Sequence, residues 1–450
     1  MIQNLTKGLP SKLILMFCLP LLIGNLFQQL YSITDILIVG RLLGINALAA
    51  VGATAPIFFV FLILSFGFTG GLTVVTAQRF GAGDYSGMRK SVTHAVMASF
   101  VLCLFMTLFL IFFLRPVLHI MNVPKLIEDD AYLFMSILSF GFIMIVFYNL
   151  LAGFMRAMGD SKTPLYFLIF STLLNIVFNF VFIYFFSFGV KGSALGTVLA
   201  ATIAFILCVV YMYLKFDIMR LKKSDWRFDK KMLSEQLKIA FPMSVQFSVL
   251  SLSMMVIQST CNSFGPEVIA AFTAALRIEQ LATQPLLALG MAMATYAAQN
   301  FGAQKISRIR QGVRFTVLVS LGIAVVMSLL VRYIGRDMIA VFLNDKNAFI
   351  IETGKTYLGI STLFYFFLGM IFIFRNTLQG MGKAWLPLIA SLTEFFIRSF
   401  AAIFLAKALG YRGIFYASPA AWVGASCVVI IGYILTVKKF KKNISKRKKI

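Results

Sequence analysis

The chain has 450 residues, of which 60% are hydrophobic and 13% charged, and its 41 Lys and Arg against 16 Asp and Glu give a net charge of +25. A soluble domain carries about 25% charged residues, so this composition excludes a soluble globular enzyme and a disordered chain. It also argues against an outer-membrane barrel, whose alternating strands are only weakly hydrophobic. We therefore predict an all-α polytopic membrane protein.

Twelve apolar runs along the chain are long enough to be membrane-spanning helices, each of which needs about 20 apolar residues. The first run is far longer than the apolar core of a signal peptide, and no small-residue cleavage site breaks it, so we expect no cleaved signal. The runs lie roughly at 13–40, 47–78, 91–114, 131–155, 163–187, 190–214, 239–264, 267–298, 315–334, 353–376, 384–408 and 412–437.

The second half of the chain repeats markers of the first half at a spacing of about 222 residues. Residues 78–84 recur at 299–305, Met158 and Gly159 recur at Met381 and Gly382, and Pro20 recurs at Pro242. Each half holds six runs, so the two halves have the same orientation and form a parallel repeat with the substrate path between them. We predict two six-helix lobes, an N-lobe at 1–214 and a C-lobe at 239–437, joined by a loop at 215–238 and followed by a basic tail at 438–450.

The basic residues predict the orientation of the chain in the membrane. The N-terminus, the even-numbered loops and the tail together carry about three times as many Lys and Arg as the other loops, with Arg277 and Arg398 placed inside apolar runs. Both termini and the 215–238 loop are therefore expected to be cytoplasmic, in an inner or plasma membrane. Their basic clusters suit anionic lipids better than nucleic acid.

Signatures of enzymes and cofactors are missing from the sequence. The five cysteines all lie in apolar runs without a CxxC pair, so we interpret them as small buried hydrophobic residues. His94 and His119 are far apart, and the Gly354–Thr356 tripeptide has Phe349 where a P-loop needs its first glycine. We expect no cofactor and no enzymatic activity, and a transporter of this kind would be driven by an ion gradient.

Acidic residues within a membrane helix are expensive and are functional candidates. Asp35 ends a polar stripe with Asn25, Gln28 and Ser32 on one helix face, beside Tyr31. The alternative is a hydrated group near the outer end of the helix. Function is favoured because no basic residue within one turn neutralises the carboxylate.

Three further polar sets lie in later runs. Asn175 and Asn179, four residues apart, are either packing amides or partners of Asp35. Glu279, with Thr283 one turn later, is a second candidate. Glu394 and Arg398 are predicted to form an i, i+4 ion pair that is structural or takes part in gating.

The chain resembles the multidrug and toxic compound extrusion (MATE) transporters over essentially its whole length. The resemblance is carried by Pro20 and by residues 28–35, 40–44, 78–83, 156–160, 189–194 and 299–303. It implies a V-shaped, two-lobed bundle that exports organic cations and drugs in exchange for Na+ or H+. Carried onto this chain, the ion site of the prokaryotic group with a first-helix Asp comprises Gln28, Tyr31, Asp35, Asn149, Asn175, Asn179 and Thr197.

The sequence departs from the family pattern in both halves. That group often has Asp where this chain has Asn179, so the site has one carboxylate, which favours a proton over Na+. The family's other ion site uses acids in spans seven and ten. Here span seven offers Gln246 and span ten, from 357 to 374, has no acid, so Glu279 is the candidate substitute.

The sequence thus predicts a secondary active multidrug exporter, monomeric, with amphipathic cationic drugs as substrates. The ion-coupling set is Asp35, Asn175, Asn179 and Thr197, the substrate-cavity set is Gln28, Tyr31, Asn149, Gln246, Glu279 and Thr283, and the structural or gating set is Pro20, Pro242, Glu394 and Arg398. The main alternative is a lipid-linked oligosaccharide flippase, which should need several Lys or Arg within the N-lobe helices. An ion channel or a membrane transferase is a third possibility.

Overall fold

The structure is a computed structural model that describes residues 2–343 and 347–447. Within these ranges it contains thirteen α-helices, a π-helical turn (Val181–Phe185) and two 3-10 turns (Asp217–Met219 and Lys223–Trp226). The helices are α1 (Pro10–Gly81), α2 (Tyr85–Ile120), α3 (Lys125–Ala157), α4 (Lys162–Phe180), α5 (Val190–Lys215), α6 (Lys230–Asn262), α7 (Pro266–Gly302), α8 (Ile306–Leu343), α9 (Ala348–Thr362), α10 (Tyr365–Gly380), α11 (Trp385–Leu409), α12 (Tyr411–Ile414) and α13 (Ala417–Arg447).

The twelve predicted spans are confirmed. Over the described residues, eleven helical stretches are long and apolar enough to cross a membrane, and α1 supplies two of them. The pair α9 and α10 makes the twelfth span, bent by 52° at the break between them. The protein is therefore an all-α, multi-pass membrane protein.

The interruption predicted between the first two spans, at 41–46, is short. Gly44, with a φ of 81° and a ψ of −171°, is non-helical and forms a kink between the two helical segments of α1. Glycine adopts a positive φ without the steric cost that a Cβ atom brings. The predicted tenth span, 353–376, is broken at Leu363 and Phe364, and broken helices are found in transporters where polar groups line a site.

The chain divides into two compact units. The first unit contains the residues before Leu5 together with Ile23–Ser244, and the second contains Leu5–Leu22 together with the chain from Val245 onward. One boundary therefore lies between Asn4 and Leu5, before α1, and the other two lie inside α1 and α6. Pro20 and Pro242 each lie two residues before a boundary, where a proline removes one backbone hydrogen bond of the helix.

Each unit has its own apolar core. In the first unit, α1, α2, α3 and α5 pack around Leu72, Met88, Phe154 and Cys208. Gly71 on α1 allows close packing there, since a Cβ would lie 2.4 Å from the Ala240 Cα atom. The second unit has two apolar cores. One includes Leu286, Tyr357, Tyr365 and Trp422, and the other includes Met293 and Tyr296.

The cysteines follow the prediction only in part. Cys103, Cys208 and Cys261 are buried and Cys18 is half-buried, but Cys427 is exposed. A membrane-spanning helix is apolar both on the face that packs in the protein and on the face that is turned outward. An apolar run therefore does not show whether a cysteine within it is buried or exposed.

Candidate functional site

The first unit contains a chain of hydrogen-bonded side chains that includes Asp35. The Asn179 Nδ2 donates to Asp35 Oδ1 at 2.7 Å and to Asn175 Oδ1 at 3.2 Å. The Asn175 Nδ2 donates in turn to Thr197 Oγ1 at 3.1 Å. Three helices, α1, α4 and α5, thus converge on one carboxylate.

The local sequence explains how these side chains meet. Asn175 and Asn179 lie one turn apart on α4 and therefore share a face, and both are at least 98% buried. Gly196 on α5 provides the space for Asn179, because a Cβ at that position would lie 2.3 Å from the Asn179 Oδ1. The Asn179 Oδ1 is buried and has no hydrogen-bond partner among the described residues.

Of the other predicted first-half residues, Tyr31 joins this group. Its side chain hydrogen-bonds with Thr197 and lies within the electrostatic influence of Asp35. Gln28 is exposed. The half-buried Asn149 donates through Nδ2 to the Ile145 carbonyl oxygen at 3.0 Å, a bond within its own helix.

A second candidate carboxylate, the buried Glu279, lies in the second unit, beside the break between α9 and α10. The Tyr357 hydroxyl donates to Glu279 Oε2 at 3.0 Å, and Ser361 also hydrogen-bonds with Glu279. The Tyr365 side chain is fully buried beside Ser361 and within the electrostatic influence of Glu279. Sequence reasoning looked for an acid in span ten and missed that its two tyrosines and a serine surround the acid of span eight.

The predicted pair of Glu394 and Arg398 belongs to a larger buried ion network. Arg398 Nη2 lies 2.5 Å from Glu394 Oε1, Arg375 Nη2 lies 2.8 Å from Glu394 Oε2, and Arg398 Nη1 donates to Ser253 Oγ at 2.8 Å. All three charged side chains are at most 7% exposed. The Arg398 charge also acts on Glu279. Two buried guanidinium groups therefore face two carboxylates.

The prediction that Arg375 is a loop residue is wrong. It lies inside α10, where burial brings it against Glu394 on α11. It follows the apolar stretch 366–374 and precedes Asn376, so in sequence it resembles a flanking loop residue. The available signal was the predicted tenth span itself, since the range 353–376 contains position 375.

The remaining predicted residues lie in well-defined places in the second unit. Gln246 accepts a hydrogen bond from Gln379 Nε2 at 2.9 Å, and both side chains are buried. The Thr283 hydroxyl donates to the Glu279 backbone carbonyl at 2.8 Å. These hydrogen bonds of Gln246 and Thr283 are also what residues with a purely structural role would make, so they do not by themselves indicate a substrate cavity.

The arrangement in the first unit can hold or release one proton at the Asp35 carboxyl group. The groups around this carboxyl group are amides and hydroxyls. Within the described residues, no group of three or more His, Cys, Asp or Glu side chains is placed to hold a metal ion.

Comparison with curated proteins gives relatives that cover nearly the whole chain. The chain is 28% identical over 436 residues to the "Probable multidrug resistance protein YpnP" of Bacillus subtilis (strain 168), covering 96% of both chains. It is 25% identical over 371 residues to the "Multidrug export protein MepA" of Staphylococcus saprophyticus, covering 82% of this chain and 81% of the relative.

Comparison with solved structures shows the same fold. An outward-facing multidrug resistance MATE family transporter of the MOP superfamily superposes with a TM-score of 0.91 at 23% identity, covering 97% of this chain and 98% of that one. A MOP superfamily transporter from Pyrococcus furiosus gives 0.90 at 23% identity, with the same coverage. The MatE family model matches residues 20–181 and 242–404, one match in each half of the repeat and well over half of the chain, so this protein belongs to the MatE family.

Proposed function

We propose that this protein is a secondary active exporter that moves amphipathic organic cations out of the cell in exchange for protons. The printed names of the relatives, a multidrug resistance protein and a multidrug export protein, support the export of drugs. The observation that carries the coupling proposal is the hydrogen-bonded chain from the half-buried Asp35 through the buried Asn179 and Asn175 to the half-buried Thr197.

The orientation of Asn179 favours a proton over Na+. A hard cation binds through oxygen ligands turned toward it. Asn179 instead presents its Nδ2 donor to Asp35, and its Oδ1 lies against Gly196. A proton requires only the carboxyl group, so the coupling set is Asp35 with Asn175, Asn179, Thr197 and Tyr31 as hydrogen-bonding neighbours.

Charge at the first-half site favours cationic substrates over a phosphate-bearing lipid. Asp35 supplies a negative charge within a membrane helix, and an uncompensated carboxylate attracts a cation over a long range in a low-dielectric medium. The buried arginines of the second unit, Arg375 and Arg398, both pair with Glu394. An oligosaccharide flippase would need basic groups open to a pyrophosphate, so this alternative is less well supported.

The orientation proposal places both termini and the 215–238 loop in the cytoplasm of an inner or plasma membrane, with the protein acting as a monomer. Removing Arg375 from the loop residues leaves the excess of Lys and Arg on the proposed cytoplasmic side. Residues 448–450 of the predicted basic tail lie outside the described residues.

The test is export from proteoliposomes that contain the purified protein and a fluorescent organic cation, under an imposed pH gradient or an imposed Na+ gradient. Asp35→Asn should fold, because the amide keeps the volume, but should lose proton-driven export and most of the pH dependence of drug binding. Asp130→Asn, which removes an exposed carboxylate in the same unit, is the matched control and should behave as the parent protein.

Two outcomes would contradict the proposal. Export driven by Na+ but not by protons would reject the coupling ion. An Asp35→Asn variant that keeps full export and the parent's pH dependence would place the coupling site elsewhere, and Glu279 would be the next candidate.

A further inference from the structure

Two segments of the chain lead into the first helix of each half. The N-terminal lead-in is residues 2–9, before α1, and the central lead-in is residues 216–229, between α5 and α6. The N-terminal lead-in is docked by side chains at 299–308, in and just after the second copy of the repeated motif, and the central lead-in by side chains at 89–94, on the helix that follows the first copy. The two docking sites use different chemistry.

In the second unit, amides and basic side chains hold the N-terminal lead-in through its backbone. Gln299 Oε1 accepts the Leu5 N–H at 2.8 Å, and Lys305 Nζ donates to the Thr6 carbonyl at 3.0 Å. Asn300 Nδ2 and Arg308 Nη2 both donate to the Leu5 carbonyl, at 3.2 and 3.3 Å. Amide, lysine and arginine side chains do not change charge between pH 5 and 8.

In the first unit, three side chains of α2 hold the central lead-in. Arg89 Nε lies 3.1 Å from Asp225 Oδ2, and the Thr93 hydroxyl donates to the Asp225 carbonyl oxygen at 2.7 Å. His94 Nε2 accepts the Asp229 N–H at 2.7 Å. The Phe228 ring packs beside the imidazole, with the ring centroids 6.0 Å apart.

The geometry fixes the protonation state of His94 in this docked arrangement. Its Nδ1 lies 2.7 Å from the Lys90 carbonyl oxygen, which can only accept, so Nδ1 carries the hydrogen. Its Nε2 receives the Asp229 N–H and must therefore present a lone pair. The imidazole is neutral, and the residue is only 1% exposed.

A second proton on His94 would place two donors opposite each other. The new Nε2–H would face the Asp229 N–H, which would lose its acceptor, while the Nδ1–H would still donate to the Lys90 carbonyl oxygen, and a cation would be buried. No other residue type in the docking contacts changes charge between pH 5 and 8 in its unperturbed state.

Charged groups lie around His94 on α2 and at the start of α6. On α2, Arg89 pairs with Asp225. Asp229 caps the start of α6, where hydrogen bonds from the Met232 N–H and then the Lys231 N–H lower the pKa of its carboxyl below the ordinary value, assisted by the electrostatic influence of Lys90 and then of His94. On α1 and α6, Arg79 and Glu235 pair with each other at 2.8 Å.

We propose that His94 is a pH-sensitive latch: neutral, it holds the central lead-in on α2, and protonated, it releases that segment and the start of α6. The N-terminal lead-in, held by groups that do not titrate in this range, stays docked. The latch is independent of the proposed transport activity.

The test measures the mobility of a nitroxide label on each lead-in of the purified full-length protein in detergent. The label sites are Ser224→Cys on the central lead-in and Lys7→Cys on the N-terminal lead-in, both exposed positions. Cys18 and Cys427, which are half-buried and exposed, are first replaced by serine. Electron paramagnetic resonance spectra are recorded from pH 8 to pH 5.

The label at 224 should change from an immobile to a mobile spectrum as the pH falls. For release by one proton, the ratio of released to docked protein rises by up to about tenfold per pH unit. The label at position 7 should not change. His94→Gln keeps an acceptor for the Asp229 N–H and should make the spectrum at 224 independent of pH, whereas Thr93→Val should make it more mobile at every pH.

Three results would overturn the proposal. The label at 224 could give the same spectrum at pH 8 and pH 5. The labels at 224 and 7 could become mobile together, which would indicate general loosening. The pH transition could persist in His94→Gln. If that variant does not fold, the comparison of the two labels in the parent sequence still decides the question.

Discussion

Gly196→Ala is the sharpest test of the first-half site, because it disturbs Asn179 without changing any ionisable group. The added Cβ would lie 2.3 Å from Asn179 Oδ1 and 3.1 Å from the Asn179 backbone nitrogen. To reach ordinary van der Waals contact, the amide must move by roughly 1 Å. That movement would stretch the 2.7 Å bond from Asn179 to Asp35 beyond the hydrogen-bonding range.

The expected cost follows from two effects. Overpacking a close-fitting site costs about 1–3 kcal/mol. Loss of a hydrogen bond to a charged group costs about 1.5–3 kcal/mol. We therefore expect Gly196→Ala to destabilise the protein by about 2–4 kcal/mol and to impair proton-driven export in proteoliposomes.

The unfolding of the purified protein in detergent, followed by intrinsic fluorescence, measures the stability change. Gly52→Ala is the matched control, since a Cβ at this helical position of α1 meets no described atom within 4 Å. The control should be neutral or stabilising by about 0.5–1 kcal/mol, because alanine loses less backbone entropy than glycine in a helix.

A double-mutant cycle identifies the clash. In an Asn179→Ala background the obstructing amide is gone, so Gly196→Ala should cost much less, with a coupling energy of about 1–3 kcal/mol. If the two substitutions add without coupling, or if Gly196→Ala is as mild as Gly52→Ala, the inferred packing of Asn179 against Asp35 is wrong.

Three further predictions concern the second unit and the orientation. Glu279→Gln should weaken the transport of cationic substrates more than neutral ones at unchanged expression, because an amide lacks the long-range attraction of a carboxylate; equal losses in an efflux assay would assign Glu279 a structural or coupling role. Arg375→Met should destabilise the protein by about 3 kcal/mol in the same unfolding assay, because it leaves a buried carboxylate with half its partners. Lys383→Met, at an exposed position, is its control. An equal loss of stability in the control would show that the ion network does not cause the effect of Arg375→Met. An impermeant thiol reagent applied to intact cells should label cysteines introduced at 120–128 but not at 220–230, and the opposite pattern would invert the proposed topology.

Much of the fold could be predicted from local sequence patterns. Twelve apolar runs of sufficient length, separated by polar residues, define the spans, because hydrocarbon accepts only segments whose backbone bonds are satisfied internally. The repeat at about 222 residues predicts the two matching halves that the family model also covers. The break after Leu363 was not predicted, since a helix continues or breaks according to what packs against it.

The candidate site was predictable only where its residues are near in sequence. The four-residue spacings of Asn175 with Asn179 and of Glu394 with Arg398 place each pair on one helix face, and both pairs are bonded in the structure. The sequence itself determined which helices carry polar faces and which acids lie at membrane depth.

Only the tertiary structure decided which of those faces meet. Asn179 reaches Asp35 across 144 positions, Tyr357 reaches Glu279 across 78, and Arg375 reaches Glu394 across 19. Each contact depends on how one helix is rotated and shifted against another. That rotation is set by close packing of many side chains, such as the room that Gly196 leaves for an amide, and the periodicity of a single helix does not contain this information.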